Sequence, residues 1–572
     1  MMATSTFNRV KGLKPRRSRF NLTYGKAFDC DMGQLVPSMM KFMVPGDIFT
    51  LHQESVIRSK GPLRSPAFME LNCFSYTFFV PLRILFGESV QNAEGWYDWE
   101  IHDHDFEKFL TGGRTGNDNS VTLPRWIPTG TTVVNDNWNG IAAGTSGSNV
   151  NDVNVSVSDN GLYSLWDYME LPIGVIPAGA YPLDFFKRAY NLIYNEWFRD
   201  ENVMPPVQVE YNDRVLQATW KKDYFTSMLP WQQRGTAPQL PVSLTGSASA
   251  LFETIGGSST NLGADGYYGF LAPRENDPST LLLNRTQSSS VSDGATGSDF
   301  YSGVKASIDL SNVGTSTFSV SDLRVAFQIQ RWMELNARCG SRLVEYLKAN
   351  YGTAPNDDTL QRPMFIGGCK SPVVITEVLQ TGAEGNDGVG SMKGHSISAD
   401  RNYMGRFRAN EFGVIMTLSV IRPKAMYHQG IDKELLYDNR YSFFNPAFVW
   451  LAEEGVQVAE IYATDSGNVD ANGDPVIIGF QGKYNELRTS QSKVCGALRG
   501  GQSMSYWAMM RTFGNAPTLN GQFLKCIPDK SIFEVLDEPA FVCYFNNRIT
   551  AYRPLPVDAQ PGYIDHLYGE RR

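Results

Sequence analysis

The chain has 572 residues, 42% hydrophobic, 12% aromatic and only 19% charged, with 52 glycines and 30 prolines. That length exceeds an ordinary domain of about 100 to 200 residues, and the composition excludes a disordered or highly charged polymer in favour of a turn-rich, mainly β protein with a large core. A net charge of −8 excludes a simple nucleic-acid-binding module that is basic throughout.

In chain order, residues 1–28 come first and carry Arg9, Lys11, Lys14, Arg16, Arg17, Arg19 and Lys26 with no carboxylate. This basic arm precedes an acidic body, residues 29–572. Lys and Arg neutralise phosphates by releasing counterions and need no particular base sequence, so the arm is expected to meet nucleic acid; a solubility tail is the plainer reading. The start of the chain lacks the apolar core of a signal peptide, and an expectation of synthesis and use without secretion follows. Asn72 to Pro81 reads as a strand, being short, aromatic and bounded by proline. A polar loop is expected over 112–161. Pro182 stands where a first helical residue fits, and Phe185, Phe186, Ala189, Leu192, Ile193 and Trp197 then recur at helical spacing.

A second polar stretch, 236–320, is rich in Gly and Ser and long for a loop inside a compact domain; such segments are usually functional or disordered. Ser321 is placed to cap a helix from Asp322 toward Gly340, on which Arg324, Arg331 and Arg338, spaced by seven, fall near one face. That basic stripe suits an inner surface or an interface, with a solvated face as the plain alternative. A further helix over 341–350 would stop at Gly352. Thr381 to Ser396 reads as a third polar stretch. Phe412 to Ile421, Val456 to Ala463 and Phe541 to Pro554 read as strands, and the Asn472-Gly473 step before Val476 to Phe480 favours a hairpin. The most apolar of these runs is ten residues, half of a membrane span, so no membrane insertion is expected. Prolines make 552–572 an extended C-terminal segment.

The chemistry of catalysis is thinly represented. His102, Asp103, His104, Asp105 and Glu107 offer metal-binding groups on a polar segment, but the other four histidines are scattered, and no metal or cofactor is expected. His566 beside Asp565 reads as a hydrogen-bonded structural residue. Asp465 to Asp474 resembles a calcium loop only superficially, lacking the glycine and the closing glutamate at the offsets such a loop requires. Seven cysteines with no Cys-x-x-Cys spacing suggest neither a disulfide framework nor a zinc ribbon, and fit a reducing cytoplasm. No nucleophile elbow, phosphate loop or zinc-protease motif occurs. The rival class is a β-sandwich carbohydrate-binding protein or glycoside hydrolase, with carboxylates paired across a cleft and platforms drawn from 11 Trp and 26 Tyr.

Eight segments in fixed order carry a family resemblance. They are FDCDMGQLVPSMMKFMVPGDIF from Phe28, FFVPLRILF from Phe78, FKRAYNLIYNEWFRDENV from Phe186 and KKDYFTSMLPWQQRG from Lys221. LRVAFQIQRWMELNARCGSRLVEYLKANYG from Leu323, LQRPMFIGG from Leu360, YHQGIDKELL from Tyr427 and YRPLPVDAQPGYIDHLY from Tyr552 complete the series. Together they resemble the major capsid proteins of the Microviridae, small single-stranded DNA phages, and most closely the gokushovirus-like branch. The resemblance implies an eight-stranded antiparallel jelly roll with large loop and helical insertions and no enzyme activity. It also implies a virion component made in the bacterial cytoplasm, and copies that form fivefold units and a T=1 shell of about 60 subunits closed by symmetry. Circular single-stranded DNA would lie inside, with the arm turned inward. A DNA pilot protein would be a partner, and an insertion, here 236–320 with 112–161 as the rival segment and a solvated loop or linker as the plain alternative, would rise from the surface toward a host receptor. Seven cations on about 60 arms bring roughly 420 charges, about a quarter of the phosphates in the gene for this chain alone. A small basic protein or another polycation is therefore expected inside the particle.

Overall fold

A computed structural model describes residues 16–66, 68–111, 121–126, 160–175, 181–235, short strands between 244 and 315, and residues 320–339, 342–352, 356–357, 359–379, 392–465 and 467–557. The chain divides into two compact units, Met1–Arg234 with Met333–Arg572, and Gly235–Trp332. The larger unit is built on ten strands: β1 (Ser18–Asn21), β2 (Tyr24–Cys30), β3 (Val36–Met43), β4 (Ile48–Ser59), β5 (Leu71–Pro81), β6 (Met364–Val373), β7 (Ile375–Leu379), β8 (Met392–Arg408), β9 (Gly413–Pro423) and β10 (Phe541–Arg553). They form two antiparallel sheets. One runs β1-β10-β4-β8-β7, with β2 also pairing β10; the other runs β6-β5-β9-β3.

Alternation along the strands explains why the sheets stack. On β4, Phe49, Leu51 and Ile57 are buried while Val56 and Arg58 are exposed, the period of two that puts one face on a core. Phe49, Leu51, Ile549 and Ala551 from the first sheet pack with Met39, Met43, Phe79 and Ile415 from the second. A second cluster joins Cys30, Ile57, Cys543 and Phe545 to Leu71, Cys73, Val373 and Ile421.

A polar seam crosses the same interior. The hydroxyls of Ser75 and Ser419 lie 2.8 Å apart, and those of Thr77 and Thr417 lie 2.9 Å apart. Ser419 donates to Ser38 at 2.8 Å, and Gln53 donates to both Ser38 and Asn547 at 3.1 Å. Each such bond adds only about 1 kcal/mol net, but leaving a buried partner unmet costs about 1–3 kcal/mol. The seam therefore fixes which residues face each other across the sandwich.

The second sheet is also covered on its far face. Val414, Met416, Leu418 and Val420 of β9 pack there with Phe185, Ala189, Leu192 and Ile193 of the helix Phe185–Ile193. That helix starts three residues later than Pro182 suggests, with Asp184 at its N-cap. Asparagines hold backbone here: Asn191 of the helix donates to Val209 O at 2.9 Å, and Asn195 of the wider turn Tyr194–Phe198 that follows exchanges bonds of 2.7 and 2.8 Å with Val207.

Other elements depart from the sequence reading. The helix expected from Asp322 spans Val320–Cys339, which places Ser321 inside its first turn rather than at its cap. The helix Leu343–Tyr351 does end at Gly352, whose φ of 69° is the left-handed closure glycine permits. Val456 to Ala463 is strand only to Gln457; Val458–Ile461 is helical, because Glu460 accepts from Gln457 N at 2.8 Å in a capping box. The hairpin to Ile477–Gly482 forms, with Gly473 at φ 86° in its turn. Met392 to Ser396 belong to β8 rather than to a polar loop, and Tyr552 and Arg553 complete β10 rather than opening an extended tail. Among the described residues, the smaller unit contains three two-stranded antiparallel sheets, two of them Ser249–Thr254 with Val304–Asp309 and Gly269–Arg274 with Asp277–Arg285. Most of the polar stretch 112–161 lies outside the described residues, as does 558–572.

Candidate functional site

Arg9, Lys11 and Lys14 fall outside the described residues. Arg16, Arg17 and Arg19 are exposed, and Arg19 sits on β1 opposite Tyr552 of β10. Lys26 must leave the basic set. It occupies an inward position of β2, 8% exposed, and its ammonium donates to Pro37 O at 2.8 Å and to Tyr168 O at 2.5 Å beside Glu170 at 3.3 Å. Burial pulls its pKa down to about 8, against the upward pull of Glu170. The free arm is correspondingly shorter than 28 residues, since β1 and β2 begin at Ser18 and Tyr24 and pair with β10. Counting charges could not show which face of a strand Lys26 takes.

On the helix Val320–Cys339, Arg324 and Arg331 are exposed. Arg338 is engaged: its guanidinium bonds Glu453, whose side chain is 2% exposed, and Ala452 O at 2.6 Å. It anchors that helix end to the strand Glu453–Gln457 and is removed from the stripe.

The surface the sequence reading missed is apolar. Between Leu435 and Leu451, Leu435 (77% exposed), Tyr441, Phe443, Phe444, Trp450 (88%) and Leu451 all face solvent. The loop is nonetheless ordered by specific bonds. Asn445 caps the turn Pro446–Trp450 by accepting from Ala447 N at 2.9 Å, and Tyr484 donates to Phe443 O at 3.3 Å while its ring packs on Phe444 at 5.1 Å. Monomeric proteins rarely hold so continuous an exposed apolar patch. The run YSFFNPAFVWL was the available signal, since it shows neither a period of two nor one of 3.6.

The catalytic alternatives find little support in geometry. His102 and His104 lie at the start of the helix Asp103–Thr111, 3.8 Å from Asp105 and Glu107 respectively, in exposed pairs. No group of three metal-binding side chains occurs among the described residues, and His566 lies outside them. A cleft of about 220 Å³ is lined by Tyr224, Lys433, Glu434, Glu460 and Glu486 among others. Its buried carboxyl, Glu460, is occupied by Tyr224 Oη at 2.9 Å and by the Gln457 amide, and burial raises its pKa. The six described cysteines that can be assigned are free thiols, with the sulfurs of Cys30 and Cys543 3.8 Å apart. No described helix is long and apolar enough to cross a membrane.

A mainly β sandwich carrying an ordered, exposed apolar loop has the features of a structural protein that works by contact. The chain belongs to the family described as capsid protein (F protein), whose family model matches residues 8–97 and 133–563. It is 28% identical to capsid protein VP1 of Chlamydia phage 1 over 97% of both chains, and 28% identical to capsid protein VP1 of Bdellovibrio phage phiMH2K over 91% of this chain and 90% of that one. Capsid protein VP1 of Spiroplasma virus 4 is 25% identical over 97% of both. This is therefore a phage capsid protein of Microviridae type, a component of the virion and not an enzyme.

Proposed function

We propose that this chain is the major capsid protein of a small phage, and that its copies form fivefold units and close into a T=1 icosahedral shell around circular single-stranded DNA. The order β2-β10-β4-β8 facing β6-β5-β9-β3 supports an eight-stranded jelly roll. The observation that carries self-assembly is the ordered apolar loop from Leu435 to Leu451, which has the character of a subunit contact with Trp450 as its anchor. Arg9, Lys11, Lys14, Arg16, Arg17 and Arg19 would meet the genome from the inner side, aided by a small basic protein or another polycation. The compact unit Gly235–Trp332 suits a surface protrusion for a host receptor, and Arg324 and Arg331 a contact surface. A DNA pilot protein and assembly in the bacterial cytoplasm complete the reading; free buried thiols agree with the latter.

Electron microscopy with sedimentation of the purified chain tests this reading. Closed uniform shells or five-membered rings are expected, and Trp450→Ala should shift the population to single chains. Single chains under every salt condition, with and without DNA, would overturn it. Shells formed after deletion of 236–320 that no longer bind host cells are the outcome expected for the protrusion.

A further inference from the structure

The outward face of the first sheet has a composition unlike the rest of this acidic chain. Strand register sets its rows. Val542 of β10, Arg58 of β4 and Ile397 of β8 lie side by side, then Tyr544, Val56 and Ala399, then Asn546, Glu54 and Arg401. Arg548, His52 and Tyr403 follow, then Thr550, Thr50 and Arg406, and last Arg19, Tyr552, Ile48 and Arg408. Six arginines thus share one face with two carboxylates, Glu54 and, at the edge, Asp29. Glu54 is held by Arg548 at 2.8 Å and Arg401 at 3.5 Å, and Asp29 by Lys60 at 2.9 Å. Arg19, Arg58, Arg406 and Arg408 are exposed and have no carboxylate partner among the described residues. Between them stand Tyr403, Tyr544 and Tyr552, 55%, 48% and 42% exposed.

Unpaired arginines are not needed to keep a β sheet folded, and like charges on one face repel. Their concentration in a chain of net charge −8 marks a surface meant for an anion. The tyrosines narrow the class. Exposed rings interleaved with cations bind single strands, whose unpaired bases stack on them, whereas a duplex keeps its bases inside.

We infer that the outward face of the sheet β1-β10-β4-β8 is a docking platform for single-stranded nucleic acid, with Arg19, Arg58, Arg406 and Arg408 on phosphates and Tyr403, Tyr544 and Tyr552 under bases. Its assignment to the genome rests on the shell reading above; the binding itself is a property of the chain. Recognition of this kind is tolerant of sequence and weakens steeply with salt, which suits packing any stretch of a genome.

The test is fluorescence anisotropy of a labelled oligothymidylate on the full chain, titrated between about 50 and 200 mM salt. The triple variant Arg58→Ala, Arg406→Ala, Arg408→Ala should weaken binding and lower the salt slope by about 2. The triple variant Tyr403→Ala, Tyr544→Ala, Tyr552→Ala should weaken single-strand binding at least tenfold and leave the weaker duplex binding unchanged. Photocrosslinking of a bromouracil oligonucleotide to the unaltered chain, read by mass spectrometry, should label peptides with these tyrosines and needs no variant to fold. Binding by both triple variants equal to the parent, with crosslinks elsewhere, overturns the platform. If deletion of residues 1–15 then abolishes binding, the genome reading stands on the arm alone. Variants that bind normally but cannot form shells would make this face a subunit contact and likewise overturn it. A chain that builds shells yet binds no single strand would sink both nucleic-acid roles and leave the capsid role intact.

Discussion

The two sheets of the sandwich share one interior and differ completely on their other faces. β9 is buried along nearly its whole length, with Val414, Met416, Leu418 and Val420 under the helix Phe185–Ile193 and Ile415 and Ile421 toward the other sheet. β10 alternates, with Phe541, Cys543, Phe545, Asn547, Ile549 and Ala551 inside and Val542, Tyr544, Arg548 and Tyr552 outside. A continuous apolar run marks a strand covered twice, and an alternating run marks one covered once. The inserted segment that covers β9 is thus written into β9 itself. The bare face of β10 is where the chain places cations and rings instead.

Breaking a buried ion pair should have the largest effect. Asp47 is fully buried and takes bonds of 2.9 to 3.2 Å from Arg553 at the end of β10, while accepting from Val44 N at 2.9 Å. Asp47→Ala leaves the guanidinium uncompensated and should cost about 3–5 kcal/mol, read as a fall in the urea midpoint. On the twice-covered strand, Leu418→Ala should lose about 2–5 kcal/mol. Within the seam, Thr417→Val strands the Thr77 hydroxyl and should lose about 1–3 kcal/mol, which a denaturation curve with unchanged slope would register. The pH dependence sharpens the picture of Lys26. Its folded pKa, about 8, lies below the ordinary 10.5, so between those values the unfolded chain keeps a proton that the folded chain has released. Stability should therefore rise with pH across that window, and the rise should be absent from Lys26→Met. The smallest effect belongs to the open face. Tyr544→Ala should stay within about 0.5 kcal/mol of the parent, and a loss as large as that of Leu418→Ala would mean the face is not open.

Much of this architecture was legible in the chain. The strands at Asn72 to Pro81, Phe412 to Ile421 and Phe541 to Pro554 announce themselves through aromatic and β-branched runs, and the structure has them at β5, β9 and β10. Shorter-range chemistry decided the departures. A capping box turned Val458–Ile461 into helix despite its β-branched residues, and the helix that covers β9 opens after Asp184, whose carboxylate pairs with Lys187 and Arg188, rather than at Pro182. The surfaces were harder to read, because a linear sequence shows charge and not direction. Lys26 and Arg338 look as available as Arg19, yet one is enclosed and the other bound to Glu453. The arginines at 58, 406 and 408 gather on one face only through strand pairings between positions hundreds of residues apart.

β10, which lies between β4 on one side and β1 and β2 on the other, is built from residues 541–553. In translation the middle of this sheet is therefore made only after the strands on both sides of it. Until then, β1 and β2 have no partner strand in the sheet and the platform lacks its central row. A translation product cut short before Phe541 can hold neither the seam contact through Asn547 nor the Asp47–Arg553 pair. Closure of the sandwich thereby depends on a segment that is synthesised after every strand it joins.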